Sequence, residues 1–246
     1  MTSQDYVSDI VNLGCDAMDQ GDLPAAQKYF ELAVERGSSV AVFNLGNLFK
    51  AQEQLQSAEG EYRKALDLGI EEAGLNLGRV LEGLGRVDEA ETAYRRGWQA
   101  GDEAAGDSLA WLLDESGSRK AAKRVFKAMS RTDSYLGRKA AGTLGVWRAV
   151  KGHEDKKTRR LLKRGLWAYQ DAAPQMAQIL ISQGHFQRAR ELLEEHITYS
   201  PRPSVVLGNL LLDHFGDTDA AAAAYRIGAD AGDSHSADNL ARLEAP

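Results

Sequence analysis

A motif recurs at a nearly constant interval along the whole 246-residue chain. Its marker is a leucine or methionine followed by glycine or alanine, and successive markers are spaced by 32, 32, 32, 35, 32, 31 and 33 residues. The first residues of these markers are Leu13, Leu45, Leu77, Leu109, Leu144, Met176, Leu207 and Leu240. Such self-similarity predicts a stack of units, because one short unit cannot bury both of its apolar faces and a stack of them can.

A second marker keeps in step with the first. It is a small residue followed four positions later by an aromatic residue or leucine, as in Ala26/Phe30, Ala58/Tyr62, Ala90/Tyr94, Ala122/Phe126, Thr158/Leu162, Ala189/Leu193 and Ala221/Tyr225. Apolar residues recur every three to four positions within each segment, which indicates helices, and no strand-like alternation is present. We therefore predict an all-α fold, a right-handed α-solenoid of about seven antiparallel helix pairs with a C-terminal capping helix near residues 234–244.

The small residues have a packing explanation. Glycine inside a helix costs about 1 kcal/mol relative to alanine, so its recurrence at one register predicts a close crossing of two helices. We expect Gly46 and Gly78 to face Ala58 and Ala90. The array is predicted to be a single domain, 1–246. It has an irregular segment at 119–170, where the period stretches to 36 between Ala122 and Thr158, and a stiff turn or bend at 200–203, where two prolines stand.

The repeat resembles the tetratricopeptide family over nearly the whole chain. The Leu-Gly-x-x-aromatic/aliphatic element stands at Leu45 to Phe49 and Leu77 to Leu81, and the Ala-x-x-x-aromatic element is the second marker above. Two departures are clear. The period is 32 rather than about 34, and Gly101-Asp102 and Gly232-Asp233 stand where the family has a closing proline. That ending also resembles Sel-one-like repeats, so the chain is read as a short-period hybrid of the two.

Composition limits the setting in which the protein works. Cys15 is the only cysteine, so the chain has no internal disulfide, which fits a reducing compartment. No apolar run approaches the roughly 20 residues that cross a bilayer, and the first residues lack the features of a signal peptide. We expect a cytoplasmic protein with no membrane segment.

Charge is sorted along the chain. Residues 1–118 hold 9 Lys/Arg and 22 Asp/Glu (net −13), residues 119–170 hold 16 and 3 (net +13), and residues 171–246 hold 5 and 11 (net −6). Helical spacing gathers the basic residues into two stripes, which we expect to merge into a ridge on the convex side. The basic ridge comprises Lys120, Lys123, Lys127, Arg160, Lys163 and Arg164. It is either a solvated face or a dock for an acidic protein, a nucleic acid or the acidic half of another copy. Buried packing is the expected role of Trp147, Trp167 and Tyr169, and stacking on bases is the alternative.

The second candidate site follows from the family resemblance. In tetratricopeptide solenoids the first helix of each pair lines a concave groove, and the residue before Leu-Gly points toward it. Asn12, Asn44 and Asn76 hold that position here, and Asn47 and Arg79 follow one turn later. An asparagine amide both donates to and accepts from an extended main chain, and an arginine can bind a carboxylate with two hydrogen bonds. The alternative is that these asparagines bond neighbouring helices. Nearby acidic residues predict a groove that prefers a basic or neutral peptide.

Catalytic and metal-binding motifs are missing from the sequence. The five histidines form no His-x-x-x-His or His-Glu-x-x-His pattern, and Cys15 has no evident base partner. We therefore predict a non-enzymatic interaction scaffold with no cofactor and no metal, which binds a peptide or protein partner and is a monomer or weak homo-oligomer. The alternatives are a polyanion or nucleic-acid binder that uses the basic ridge, and a regulatory subunit of an enzyme supplied in trans.

Overall fold

The computed structural model of the protein describes residues 3–245, and throughout that range the chain forms helices joined by turns, with no β-strand. The prediction of an all-α fold is confirmed. The helices are α1 Ser3–Asp19, α2 Leu23–Glu35, α3 Ser39–Ala51, α4 Leu55–Asp67, α5 Ala73–Gly83, α6 Val87–Gln99, α7 Glu103–Glu115, α8 Arg119–Met129, α9 Tyr135–Ala149, α10 Lys156–Gly165, α11 Ala172–Ser182, α12 Phe186–Ile197, α13 Ser204–Leu210, which continues into a π-helical turn at Leu211–Phe215, α14 Thr218–Asp230 and α15 Ser234–Glu244.

The chain divides into two compact units, Met1–Val125 and Phe126–Pro246, and the boundary falls within α8. In unit one α1 packs on α2, α3 on α4 and α5 on α6, and each second helix also packs on the next first helix. In unit two the pairs are α9 with α10, α11 with α12 and α13 with α14, and α15 covers α14. These consecutive packed pairs confirm the helix-pair array and the capping helix. The hand of the solenoid and the single domain remain predictions.

The glycines of the first marker make room for an aromatic ring of the second. A Cβ built on Gly46 would lie 2.6 Å from Cε1 of Tyr62, and one on Gly78 would lie 2.3 Å from the same atom of Tyr94. Both tyrosines are fully buried. The ring four residues beyond Ala58 or Ala90 thus fills the space beside each glycine, whereas the expected contact with the alanines themselves stays a prediction.

Two junctions of the array combine a turn glycine with a capping aspartate. Gly101 has a φ of +101°, a left-handed conformation that glycine adopts without strain. The Asp102 carboxylate that follows accepts hydrogen bonds from the backbone N–H groups of Ala104 and Ala105, at 2.8 and 3.2 Å. Asp233 caps α15 in the same way. Glycine and aspartate thus perform the turn and the cap at the position where the family has a proline.

The first helices of unit one share a face. Besides its partner in the pair, α3 contacts α1 and α5, and α5 also contacts α7. Side chains on this face therefore come from residues about one repeat apart in sequence. Of the helices in the described part of the chain, none has both the length and the apolar character required to span a membrane.

Candidate functional site

The asparagines of the predicted groove form a hydrogen-bonded connection between repeats. The Asn47 Oδ1 atom accepts from the Tyr62 hydroxyl at 2.8 Å and from Asn76 Nδ2 at 3.0 Å. Asn44 Nδ2 lies 3.6 Å from the sulfur of Cys15, which acts as its acceptor. The residue before Leu-Gly in one repeat therefore bonds to the residue after Leu-Gly in the preceding repeat.

The same arrangement recurs in unit two, where Asn209 follows Leu-Gly. Its Oδ1 atom accepts from the Tyr225 hydroxyl at 2.6 Å and from Asn239 Nδ2 at 3.4 Å. Because the same partners appear at two distant places in the chain, these bonds belong to the repeat itself. The structure thus gives Asn47 and Asn76 a role in joining helices, which was one of the two readings of the sequence.

The internal bonds determine what these side chains can still offer to a ligand. An amide oxygen has two lone pairs, and both of those on Asn47 are occupied by Tyr62 and Asn76. Its Nδ2 hydrogens have no partner among the described residues. Asn44 and Asn76 use only their amide hydrogens as donors, so their oxygen atoms remain free to accept. Asn12 is exposed on α1.

Arg79 replaces the asparagine in the third repeat and changes the chemistry there. Its side chain is exposed and forms no ion pair within the described residues. The buried hydroxyl of Tyr94 donates to Glu82 rather than to an asparagine. Burial, followed by this contact with Glu82, raises the pKa of the Tyr94 phenol, and Arg79 acts in the opposite direction.

Lys50 is a residue of this face that sequence reasoning missed. Burial, followed by the nearby charge of Arg79, lowers the pKa of the Lys50 ammonium group. The signal in the sequence was its position three residues after Asn47 in α3, which places both side chains on one side of the helix. Two cations therefore act on each other on a face that was expected to be acidic.

The residues of the basic ridge differ in exposure and in partners. Lys120 and Lys123 lie in unit one, whereas Lys127, Arg160, Lys163 and Arg164 lie in unit two. All are exposed except Arg164, which is half-buried. Its guanidinium donates to the backbone oxygens of Ser130 and Thr132, the latter at 2.9 Å, and so holds the end of α8. Arg164 thus has a structural role, and the merging of the two stripes remains a prediction.

The aromatic residues near this segment also differ from one another. Trp147 is half-buried and meets Phe126 edge-on, with ring centroids 5.4 Å apart, in agreement with a packing role. Trp167 is 56% exposed, so the expectation that it is buried was wrong. It lies in the turn after α10, outside the helical periodicity from which burial was inferred.

The side chains of the described residues that could bind a metal ion or act as a nucleophile do not form a site. Within residues 3–245 no three His, Cys, Asp or Glu side chains are arranged to hold a metal ion. Burial, followed by the charges of Asp19 and Asp16, raises the pKa of the Cys15 thiol. The thiol is therefore less ionised at neutral pH than a free cysteine, and a thiol is a poorer nucleophile than a thiolate.

Comparison with known proteins identifies the repeat. The family model described as tetratricopeptide repeat matches residues 11–73, 43–105 and 175–236, which together span more than half of the chain. No curated protein matches the sequence. Among solved structures, Pseudomonas aeruginosa pilF is 18% identical with a TM-score of 0.55, covering 98% of this chain and 99% of its own.

Two further solved structures share the fold. A tetratricopeptide repeat protein from Parabacteroides merdae is 18% identical with a TM-score of 0.54, covering 96% of this chain and 98% of its own. YrrB, described as a tetratricopeptide protein with an unusual peptide-binding site, is 20% identical with a TM-score of 0.50, covering 75% of this chain and 98% of its own. At these identities the similarity shows the fold alone.

Proposed function

The chain belongs to the tetratricopeptide repeat family, and from that premise we propose that it is a non-enzymatic scaffold that binds an extended peptide or protein segment in a concave groove on the first helices of unit one. Tetratricopeptide folds are generally protein-interaction scaffolds, and one structural neighbour is described as having a peptide-binding site. A cytoplasmic location, expected from the single cysteine, is part of the same proposal.

The observation that carries the proposal is the bonding of Asn47. Because Tyr62 and Asn76 occupy its oxygen atom, Asn47 keeps its amide hydrogens for a ligand, while Asn44 and Asn76 keep their oxygens. An extended peptide presents alternating carbonyl and N–H groups, and this face offers the matching donors and acceptors. The side chains are also held in place before binding, which lowers the entropic cost of association.

One part of the proposed groove carries two cations, Lys50 and Arg79. Lys50 and Arg79 repel each other, and neither forms an ion pair within the described residues. A carboxylate bound between them would relieve that repulsion, and Arg79 can hold it with two parallel hydrogen bonds. We therefore propose that this end of the groove selects an acidic side chain or a C-terminal carboxylate, in contrast to the basic or neutral peptide expected from the sequence.

The test separates the ligand-binding role from the structural one. Peptides that bind the parent protein are selected from a random library, and their affinities for Arg79→Ala and Arg95→Ala are then compared. Arg79→Ala should weaken binding by about tenfold and leave thermal stability unchanged, because the side chain is exposed and unpaired. Arg95 is an exposed arginine on a second helix that pairs with Glu91, and its replacement is the matched control.

The double variant Asn44→Ala/Asn76→Ala should weaken binding and also lower stability, because it removes bonds between repeats as well as contacts to the ligand. Equal affinities of the parent and Arg79→Ala for every selected peptide would contradict the proposed groove. A loss of stability with unchanged affinity in the double variant would assign the asparagines to the fold alone.

A further inference from the structure

A second candidate site lies within unit two. A cavity of about 310 Å³ opens between two of the turns that join successive helix pairs. Trp167 and Tyr169 come from the turn after α10, Tyr199 and Pro203 from the turn after α12, and Tyr135 from the start of α9. This volume is at the lower end of the range for ligand pockets, roughly 300 to 1,000 Å³.

The rim of the cavity exposes large aromatic side chains. Trp167, Tyr135 and Tyr199 are 56%, 59% and 75% exposed. Among the Phe, Trp and Tyr side chains of the described residues, the only other exposed one is Tyr6 in unit one, at 48%. Exposed apolar side chains that cluster around a concavity are typical of a binding site. Single exposed apolar residues scattered over a surface are ordinary and indicate no site.

The aromatic rings of this rim are held in a defined arrangement. Trp167 stacks on the imidazole of His196, with centroids 4.2 Å apart and planes 29° apart, and Tyr199 meets Trp167 edge-on at 4.9 Å and 87°. His196 is buried, and its Nδ1 lies 2.9 Å from the Leu192 carbonyl oxygen. A carbonyl only accepts, so Nδ1 carries the hydrogen and the ring orientation is set. Trp167 and Tyr199 therefore present two perpendicular faces without first having to be ordered.

The polar groups of the cavity restrict the ligand further. Its lining contains no lysine, arginine, aspartate or glutamate among the described residues. The indole N–H of Trp167 and the hydroxyls of Tyr135 and Tyr199 have no hydrogen-bond partner in the described chain. The Nε2 atom of His196 is buried and also lacks a partner there. The rim thus offers flat apolar faces together with donors, and no charge.

We propose that this cavity binds an uncharged, proline-rich segment of a partner protein in the polyproline II conformation. Proline rings stack on tryptophan and tyrosine faces, and such a segment carries unpaired carbonyl oxygens that accept from indole and phenol donors. A single-stranded nucleic acid also stacks on aromatic rings, but its phosphates require cations, which the lining lacks. The site is independent of the groove in unit one, so either can be disproved without the other.

The test uses the full chain and a capped polyproline peptide of about ten residues with a fluorescent label on a flexible linker. Binding is followed by fluorescence anisotropy at several salt concentrations. The parent should bind saturably and with little dependence on salt, and a Gly-Ser peptide of equal length with the same label should not bind. Trp167→Ala should weaken binding by at least about tenfold, because it removes a stacking face and a donor.

Two further variants complete the design. Tyr199→Phe keeps the ring and removes only the hydroxyl, so it should weaken binding of the polyproline peptide severalfold. If Trp167→Ala proves to be misfolded, this variant tests whether the aromatic rim binds the peptide. Tyr6→Ala removes the exposed tyrosine of unit one and should bind like the parent. Circular dichroism and thermal melting check that each variant is folded.

Three results would overturn the proposal. One is the absence of saturable polyproline binding by the parent at millimolar peptide. Another is equal binding by the parent and a folded Trp167→Ala, or by the parent and Tyr199→Phe when Trp167→Ala is misfolded. The third is salt-sensitive, Trp167-dependent binding of a single-stranded oligonucleotide without binding of polyproline, which would assign the aromatic rim to nucleic acid.

Discussion

Gly78→Ala and Gly60→Ala make the same chemical change at two helical glycines with different surroundings. A Cβ on Gly78 in α5 would lie 2.3, 2.4 and 2.8 Å from the Cε1, Cδ1 and Cζ atoms of Tyr94, whose ring is fully buried. A Cβ on Gly60 in α4 would have no neighbour within 4 Å. The two variants therefore separate the intrinsic preference of the helix for alanine from the steric requirement for glycine.

The expected magnitudes follow from these distances. Alanine is favoured over glycine inside a helix by about 1 kcal/mol, so Gly60→Ala should stabilise the protein by about that amount. Overpacking a filled core typically costs about 1 to 3 kcal/mol, and the overlap with three atoms of a buried ring places Gly78→Ala at about 3 kcal/mol. After the helix-propensity gain is subtracted, Gly78→Ala should lower the free energy of unfolding by about 2 kcal/mol.

Urea unfolding followed by far-ultraviolet circular dichroism measures this difference. Unfolding midpoints of the parent and of both variants are compared, since a repeat protein need not unfold in one step. Gly60→Ala should raise the midpoint and Gly78→Ala should lower it. If both variants raise the midpoint, the ring of Tyr94 moves aside freely, and the argument that the marker glycine makes room for it fails.

Three other predictions concern charged side chains. Arg164→Ala should destabilise the protein by about 1 to 2 kcal/mol, because the backbone carbonyls of Ser130 and Thr132 lose a charged donor, whereas Lys163→Ala should be neutral in the same thermal melts. Burial tends to raise the pKa of Glu59, but hydrogen bonds from Arg63 and Arg86 outweigh it and hold that pKa below its usual value. A carboxyl group with a lowered pKa in the folded state stabilises the fold above its unfolded pKa of about 4.3 and loses that contribution as the pH falls through the folded value. Glu59→Gln should therefore be less stable than the parent at neutral pH and approach it in acid; a difference that does not change with pH would refute this. The third variant reverses the charge of four exposed residues of the basic ridge, Lys123, Lys127, Arg160 and Lys163. It should fold like the parent but lose any salt-sensitive association with an acidic partner or another copy, which sedimentation across ionic strength measures. Identical behaviour of parent and variant at every salt concentration would mean that the ridge is only a solvated face.

The sequence by itself determined the architecture. Both markers recur because the repeats solve the same packing problem, a small residue on the first helix that makes room for a large apolar side chain of the second. That problem is local to about 32 residues, so it leaves a period that is readable without coordinates. The Gly-Asp endings are equally local, since a left-handed residue and a capping carboxylate act on the adjacent helix ends.

Only the tertiary structure decided what the individual side chains do. Asn47 and Asn76 are 29 positions apart in sequence, and their bond depends on the distance between α3 and α5. Arg164 reaches the end of α8 because two helices of different repeats meet there. Trp167 and Tyr199 lie in turns, where no helical period assigns a buried or exposed side. Periodicity reports which face of a helix is buried, whereas the choice between a bond within the repeat array and a contact to a ligand, and the contacts between turns, depend on distances that only the folded chain has.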